Sequence, residues 1–155
     1  MIRPPSVVKS YDAWFSGDPA FVQLEDGASE DERAEHTRKW TVARETGAIG
    51  DLLVPGAFPT KFVMRPLSGS VFRKILDRRV GGKIGSAEQL ALAFRCAVVS
   101  VENLGDVKVD RRGVEDYGEI ATPAIVDALD AIDLSIVTEL GSEAMRRAGE
   151  PSPLS

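Results

Sequence analysis

The sequence is short of the residues that build redox and metal chemistry. It contains one cysteine and one histidine among 155 residues. A lone cysteine cannot form an intrachain disulfide, so we expect a fold that does not depend on an oxidising compartment. Metal sites built on histidine and cysteine need three or four ligands at matched spacing, and His36 and Cys96 lie far apart on different predicted helices. We therefore expect no metal ion and no cofactor.

Long apolar runs and an excess of positive charge are also missing. The longest mostly apolar stretch, residues 90–99, is interrupted by Arg95 and is too short to span a bilayer. The first residues lack the apolar segment of a secretory signal. The net charge is −5, whereas a general nucleic-acid binder needs a positive field to displace counterions from phosphates. These features predict a cytosolic protein with no membrane and no nucleic-acid partner.

The composition is otherwise that of an ordinary globular domain. Hydrophobic residues make up 43% of the chain and charged residues 28%, which is enough apolar material for one packed core. We predict a mainly α fold with a small β element, that is, α+β. The predicted organisation is an irregular N-terminal arm over residues 1–28, one compact helical domain over 29–148 and an extended C-terminal tail over 149–155.

Local signals place the first elements of the helical domain. Ser29-Glu30-Asp31-Glu32 matches a capping box and begins a polar helix that should end at Gly47. Residues 60–66 alternate in polarity and predict a strand that Pro66 ends. Ser68 or Ser70 then caps a second helix, which the Arg78-Arg79 pair closes.

The sequence of the second half of the chain predicts two more helices with a weak hairpin between them. A third helix starts at Ser86 and is expected to run to about Leu104 as the central core helix, with a strand as the alternative for residues 97–101. Residues 107–109 and 114–120 suggest the hairpin. A last apolar-faced helix follows Thr122-Pro123 and is expected to break at Asp133 or Gly141.

No catalytic set emerges from the residue types. Carboxylate pairs such as Asp127/Asp130 fit helix starts, turns and polar faces better than a cleft with shifted pKa values. The glycine-rich segment 81–86 precedes a helix but lacks the order of a phosphate-binding loop. We therefore predict no catalytic residue and a protein that is not an enzyme.

Aromatic residues in the N-terminal arm are the first candidates for partner contacts. Tyr11, Trp14, Phe15 and Phe21 are unusual in a segment that would otherwise read as solvated. Two interpretations stay open: these side chains pack on the chain's own core, or the arm docks on a neighbouring subunit. Under the second, the apolar anchors for a partner are Trp14, Phe15, Phe21 and Trp40.

A basic cluster is the second candidate surface. It consists of Arg73, Lys74, Arg78, Arg79 and Lys83. One interpretation is a solvated helix face. The other is a surface that steers an acidic partner, with Arg78 and Arg79 as the steering charges, and the acidic first helix of a second copy would complement it. The chain is therefore also a candidate for homo-oligomer formation.

Three segments resemble a known family. They are Trp40–Gly47, Pro59–Leu67 with its Phe-x-x-Arg-Pro-Leu order, and Ile132–Gly141 with its Glu-Leu pair. Together they are similar to small tail-morphogenesis proteins of long-tailed phages, in particular tail assembly chaperones. The resemblance implies a non-enzymatic protein of the infected host cytoplasm that keeps the tape-measure protein soluble and helps recruit tail-tube subunits.

The arm leaves a structural alternative open. It is longer than a minimal chaperone of this kind would need. An accessory subunit of the virion, such as a head–tail connector, a tail component or a capsid component, could use such an arm to bind neighbouring subunits. In that case the protein would be located in the mature particle.

Overall fold

The computed structural model describes residues 9–149, and within that range the chain is an α+β domain. This confirms the predicted fold class. Residues 1–8 of the predicted arm and 150–155 of the predicted tail lie outside the described range. The helices are α1 (Glu30–Thr46), α2 (Gly69–Val80), α3 (Ser86–Ala97), α4 (Ala124–Asp130) and α5 (Ser135–Gly149). The strands are β1 (Tyr11–Ala13), β2 (Lys61–Met64), β3 (Val98–Glu102), β4 (Arg111–Val114) and β5 (Gly118–Ala121).

Helix α1 begins and ends where its local signals predict. The Ser29 hydroxyl accepts the backbone N–H of Glu32 at 3.2 Å, and the Glu32 carboxylate accepts the N–H of Ser29 at 3.2 Å. Gly47 adopts a left-handed conformation, with φ of 77°, and donates its N–H to the carbonyl of Ala43 at 2.8 Å. Glycine reaches this conformation without steric cost, so it ends the helix. Ser68 likewise caps α2 through the N–H of Val71.

The central sheet has three antiparallel strands in the order β1-β2-β3. Strand β2 pairs on one side with β1, where Asp12 lies opposite Val63, and on the other with β3, where Phe62 lies opposite Val101. Phe62 and Met64 are both buried and share one face of the sheet, as the alternating pattern predicted. Part of the arm therefore forms an outer strand of the sheet rather than an irregular segment.

The prediction of one long central helix was wrong beyond Ala97. The chain leaves the helix at Val98, which is extended (φ −68°, ψ 129°), and continues as β3. The strand alternative for this stretch is the one the structure adopts. Val98, Val99 and Val101 are β-branched and favour an extended backbone. Pairing with β2 then satisfies the backbone groups that a continued helix would otherwise have bonded internally.

The hairpin and the last helix also differ from expectation in detail. The hairpin is present, but its strands are β4 and β5 rather than residues 107–109 and 114–120. Asp116 in the connecting turn and Gly118 at the start of β5 both have positive φ. The last helix is broken at Asp133, whose carboxylate accepts the N–H of Ser135 at 2.8 Å at the start of α5. Gly141 does not break it and lies inside α5.

Gly141 instead allows α5 to contact α3. A Cβ atom placed on Gly141 would lie 2.2 Å from the carbonyl oxygen of Leu90. Real Cβ atoms do not approach a backbone oxygen so closely, so the two helices can pack at this distance only because position 141 has no side chain.

Two arginines join the central sheet to the hairpin. Arg65 and Arg111 both donate to the backbone carbonyl of Glu119. Arg65 also donates to the carbonyl of Cys96 at 3.2 Å, and Arg111 donates to that of Val98. The Cys96 carbonyl lies in the last turn of α3 and the Val98 carbonyl directly follows the helix, where cations interact favourably with the helix dipole. The arginines therefore stabilise the junction of α3 with both sheets.

Buried apolar residues form two clusters. The larger one contains the sheet residues, α3, α5 and parts of α4 and the hairpin. The smaller one, which we call the α1 cluster, consists of Trp14, Phe21, Trp40, Ala43 and Leu52. Within the described range, no helix has both the length and the apolar character needed to cross a membrane.

Candidate functional site

The aromatic residues proposed as partner anchors lie in the interior of the chain. Trp14, Phe15, Phe21 and Trp40 are each between 1% and 9% exposed. Phe15 belongs to the larger cluster, and the other three form the α1 cluster. The rings of Phe21 and Trp40 meet edge to face, with centroids 4.7 Å apart. The structure thus supports the interpretation that these side chains pack on the chain's own core, and Trp14, Phe21 and Trp40 offer a partner little apolar surface.

Four of the five residues of the basic cluster are exposed, and three of its cations, those of Lys74, Arg78 and Arg79, already make contacts within the chain. The Arg78 guanidinium donates to the Tyr117 hydroxyl at 3.3 Å, and this bond raises the pKa of Arg78. The Arg79 guanidinium donates to the Ser86 hydroxyl at 2.8 Å. Both side chains keep their charge on the surface. A steering role for them stays a prediction, and any substitution there also removes a bond that attaches α2 to its neighbours.

The described surface also contains an apolar groove, and Phe15 is the one predicted partner anchor among its lining residues. Its volume is about 270 Å³. It lies where the turn after β1, the start of β2, the loop after β3 and the break between α4 and α5 come together. Its lining residues are Phe15, Gly17, Asp18, Pro19, Thr60, Phe62, Leu104, Ile132, Asp133 and Ile136.

Hydrogen bonds hold the walls of the groove in place. One carboxylate oxygen of Asp18 accepts the N–H of Ala20 at 2.9 Å, and the other accepts the N–H of Thr60 at 2.9 Å. Asp18 thereby ties the turn after β1 to the start of β2. The Thr60 hydroxyl donates to the carbonyl of Asn103 at 3.1 Å, and the Asn103 amide donates to the carbonyl of Pro59 at 3.2 Å. These bonds fix the loop after β3 against the same edge.

One exposed apolar side chain, Ile132, lines the groove, and a second lies close to it in the chain. Phe15, Phe62 and Ile136 are buried and form its floor. Ile132 is 56% exposed and Leu134, in the same break between α4 and α5, is 74% exposed. Single exposed apolar residues are common, but several that continue a concave apolar surface indicate a binding site. The groove and these two residues are the candidate site.

The charged residues that line the groove are both acidic. Asp18 and Asp133 line it, and no lining residue is basic. Neither carboxylate forms an ion pair with a cation in the described part of the chain. One carboxylate oxygen of Asp133 accepts the N–H of Ser135, and the Asp133 side chain is exposed. The site therefore offers apolar area together with unpaired negative charge.

The residues considered for nucleophilic or metal chemistry lie elsewhere. Cys96 is buried, and burial raises the pKa of its thiol to about 11 although three nearby arginines act in the opposite direction. The thiol is therefore protonated at neutral pH, which fits the interpretation of a structural cysteine. His36 is half-buried on α1. Among residues 9–149, no group of three or more His, Cys, Asp or Glu could hold a metal ion.

Neither a protein-family model, nor a curated protein, nor a solved structure matches the chain. The role of the groove as a candidate binding site therefore rests on its geometry alone. One sequence signal could have pointed to it. Ile132 and Leu134 flank Asp133, at a predicted helix break, and apolar residues at a break cannot all face the core.

Proposed function

We propose that the chain is a non-enzymatic tail-morphogenesis protein, a tail assembly chaperone or adaptor that docks a segment of the tape-measure or tail-tube protein in the groove. The observation that carries this proposal is the concave apolar surface that the exposed Ile132 lines, with the exposed Leu134 two residues further along the same break. A surface of this kind stabilises a complex by removing apolar area from water when a partner covers it.

The dimensions of the groove favour a macromolecular partner. Pockets for drug-sized ligands usually begin at about 300 Å³ and enclose most of the ligand. This groove is slightly smaller, at about 270 Å³, and it is open to the exterior. It has room for a few apolar side chains that belong to a larger molecule.

The position of the groove agrees with the family resemblance. The segment Pro59–Leu67 contributes Thr60 and Phe62 to the lining, and the segment Ile132–Gly141 contributes Ile132, Asp133 and Ile136. Two of the three resembling segments therefore meet at this one surface. This coincidence supports tail proteins as the partners.

The alternative function, an accessory subunit of the virion, depends on an arm that is free to grip neighbours. In the described part of the arm, Trp14, Phe15 and Phe21 are buried in the chain itself, so the structure offers this alternative less support. Mass spectrometry of purified particles separates the two functions. A chaperone should be absent from mature particles, and its presence at a fixed copy number would favour the virion subunit.

The direct test is co-expression with the tape-measure protein of the same genome. We expect the wild-type chain to keep that protein soluble and to co-purify with it. Replacing Ile132 and Leu134 by serine should abolish both effects. Val80→Ser is a matched control, because Val80 is 86% exposed at the end of α2 and does not line the groove. Equal performance of the double variant and the control would refute the proposal.

A further inference from the structure

The two carboxylates of the groove indicate the charge of the molecule that binds there. Asp133 has a second carboxylate oxygen that accepts no hydrogen bond from the described residues. Asp18 accepts one backbone N–H on each oxygen, whereas an ionised carboxylate has about four acceptor positions. Both groups can therefore accept further donors, and no cation among residues 9–149 forms an ion pair with either.

The topology also restricts the backbone form of the occupant. Of the central sheet, only β2 contributes side chains to the lining, through Phe62. Strand β2 is paired with β1 on one side and β3 on the other, so it has no free edge at the groove. A partner cannot add a strand to β2, and the outer strands β1 and β3 contribute no residue to the lining. It has to insert side chains into the groove, as a helix does when its apolar face lies in a complementary surface.

We propose that the occupant is an amphipathic helix of a partner protein, with apolar residues that enter the groove and lysine or arginine residues that pair with Asp133 and Asp18. This inference rests on the proposed function, since it specifies what docks at the same site. The apolar face supplies most of the affinity. The exposed Asp133 and the half-buried Asp18 select for basic flanks and against acidic ones, because charge near a solvent-accessible rim acts mainly on specificity and association rate.

The experiment uses two fluorescein-labelled peptides and the full chain. Each peptide has about 18 residues, or five helical turns, and the same leucine face. In the first peptide, all positions outside the leucine face are lysine. In the second, the same positions are glutamate. Fluorescence anisotropy at low salt should show that the lysine peptide binds at least about tenfold more tightly. A third peptide, identical to the lysine peptide except for a central proline, should bind more weakly because proline breaks the helix.

Variants of the chain locate the effect. Asp133→Asn keeps an acceptor for the N–H of Ser135 and should weaken the lysine peptide about two- to fivefold, the range for an exposed ion pair. Asp77→Asn makes the same change of charge on α2, away from the groove, and should leave binding unchanged. Ile132→Ser should weaken both peptides about tenfold or more. Thermal unfolding of each variant verifies that it is folded.

The outcomes separate the inference from the proposed function. If both peptides bind equally and both depend on Ile132, the groove docks helices but the inferred charge is wrong. If Asp133→Asn and Asp77→Asn weaken binding equally, net charge rather than the groove attracts the peptide, and the inference fails. If the proline peptide binds as well as its parent, the helical form is wrong. If Ile132→Ser changes nothing, the groove is not a docking surface and both proposals fall.

Discussion

The α1 cluster and the groove are both apolar, but only the groove is open. The α1 cluster contains three aromatic residues, Trp14, Phe21 and Trp40, and the sequence made these three leading candidates for partner contacts. Helix α1 covers them and Trp40 is only 4% exposed. The exposed apolar residue of the groove is aliphatic, and the sequence did not make it a candidate for partner contacts. This residue, Ile132, lies in the break between α4 and α5, where no helix covers it. Residue type alone therefore does not distinguish an interior cluster from a binding surface.

The largest expected effect concerns the closed side of this comparison. Trp40→Ala should destabilise the fold by about 3–5 kcal/mol, because it empties the centre of the α1 cluster. Val42→Ala on the exposed side of the same helix should change stability by less than about 0.5 kcal/mol. Urea unfolding followed by circular dichroism measures both. A Trp40 variant as stable as wild type would show that the α1 cluster does not hold α1 in place.

The second prediction couples the interior to the groove through α5. Gly141→Ala should cost about 3 kcal/mol, because its Cβ would meet the carbonyl of Leu90 and push α3 and α5 apart. Ile136, on the same helix, lines the groove, so peptide affinity should fall as well. Gly149→Ala is the control, since a Cβ there would meet only Phe72, at 3.7 Å. Equal denaturation midpoints for the two variants would contradict the close helix contact.

The third prediction concerns the attachment of the arm. Burial raises the pKa of Tyr11 to about 12, against the lowering effect of the Arg147 charge, and the Arg147 guanidinium lies 3.8 Å from the ring centroid. The folded state therefore holds the phenol proton more tightly than the unfolded state. The contribution of the protonated Tyr11 side chain to the free energy of unfolding is fully present below pH 10. It is lost as the pH rises from about 10 to about 12.

Tyr11→Phe tests this point. The Tyr11 hydroxyl is buried without a hydrogen-bond partner among the described residues, so the phenylalanine variant should be at least as stable at neutral pH. Between pH 10 and pH 12 it should lose about 1–2 kcal/mol less stability than wild type. Denaturant unfolding across this pH range measures the difference. Parallel pH profiles would mean that β1 does not bury this ring.

The smallest expected effect on stability is on the open side. Ile132→Ser should change the free energy of unfolding by about 1 kcal/mol or less, because more than half of the side chain is already in water. The same variant should lose partner binding. The comparison would break if Ile132→Ser destabilised the fold as strongly as Trp40→Ala, because Ile132 would then be a core residue.

Local chemistry made much of the fold predictable. The capping box at Ser29, the left-handed Gly47 and the cap at Ser68 each act within a few residues, so the limits of α1 and the start of α2 could be read from the chain. The failures involve contacts between distant segments. The valines after Ala97 suit a helix core or a strand, and pairing with β2 decides for the strand.

By itself, the sequence determined the fold class, the ends of the first helices, a break near Asp133 and the candidate residues of two surfaces. Only the tertiary structure decided that Trp14, Phe15, Phe21 and Trp40 are interior, that Gly141 serves a helix contact and that four separate segments form an acidic-rimmed groove. The physical reason is range. Caps and turns depend on neighbouring backbone groups, whereas exposure depends on which distant segments cover a side chain.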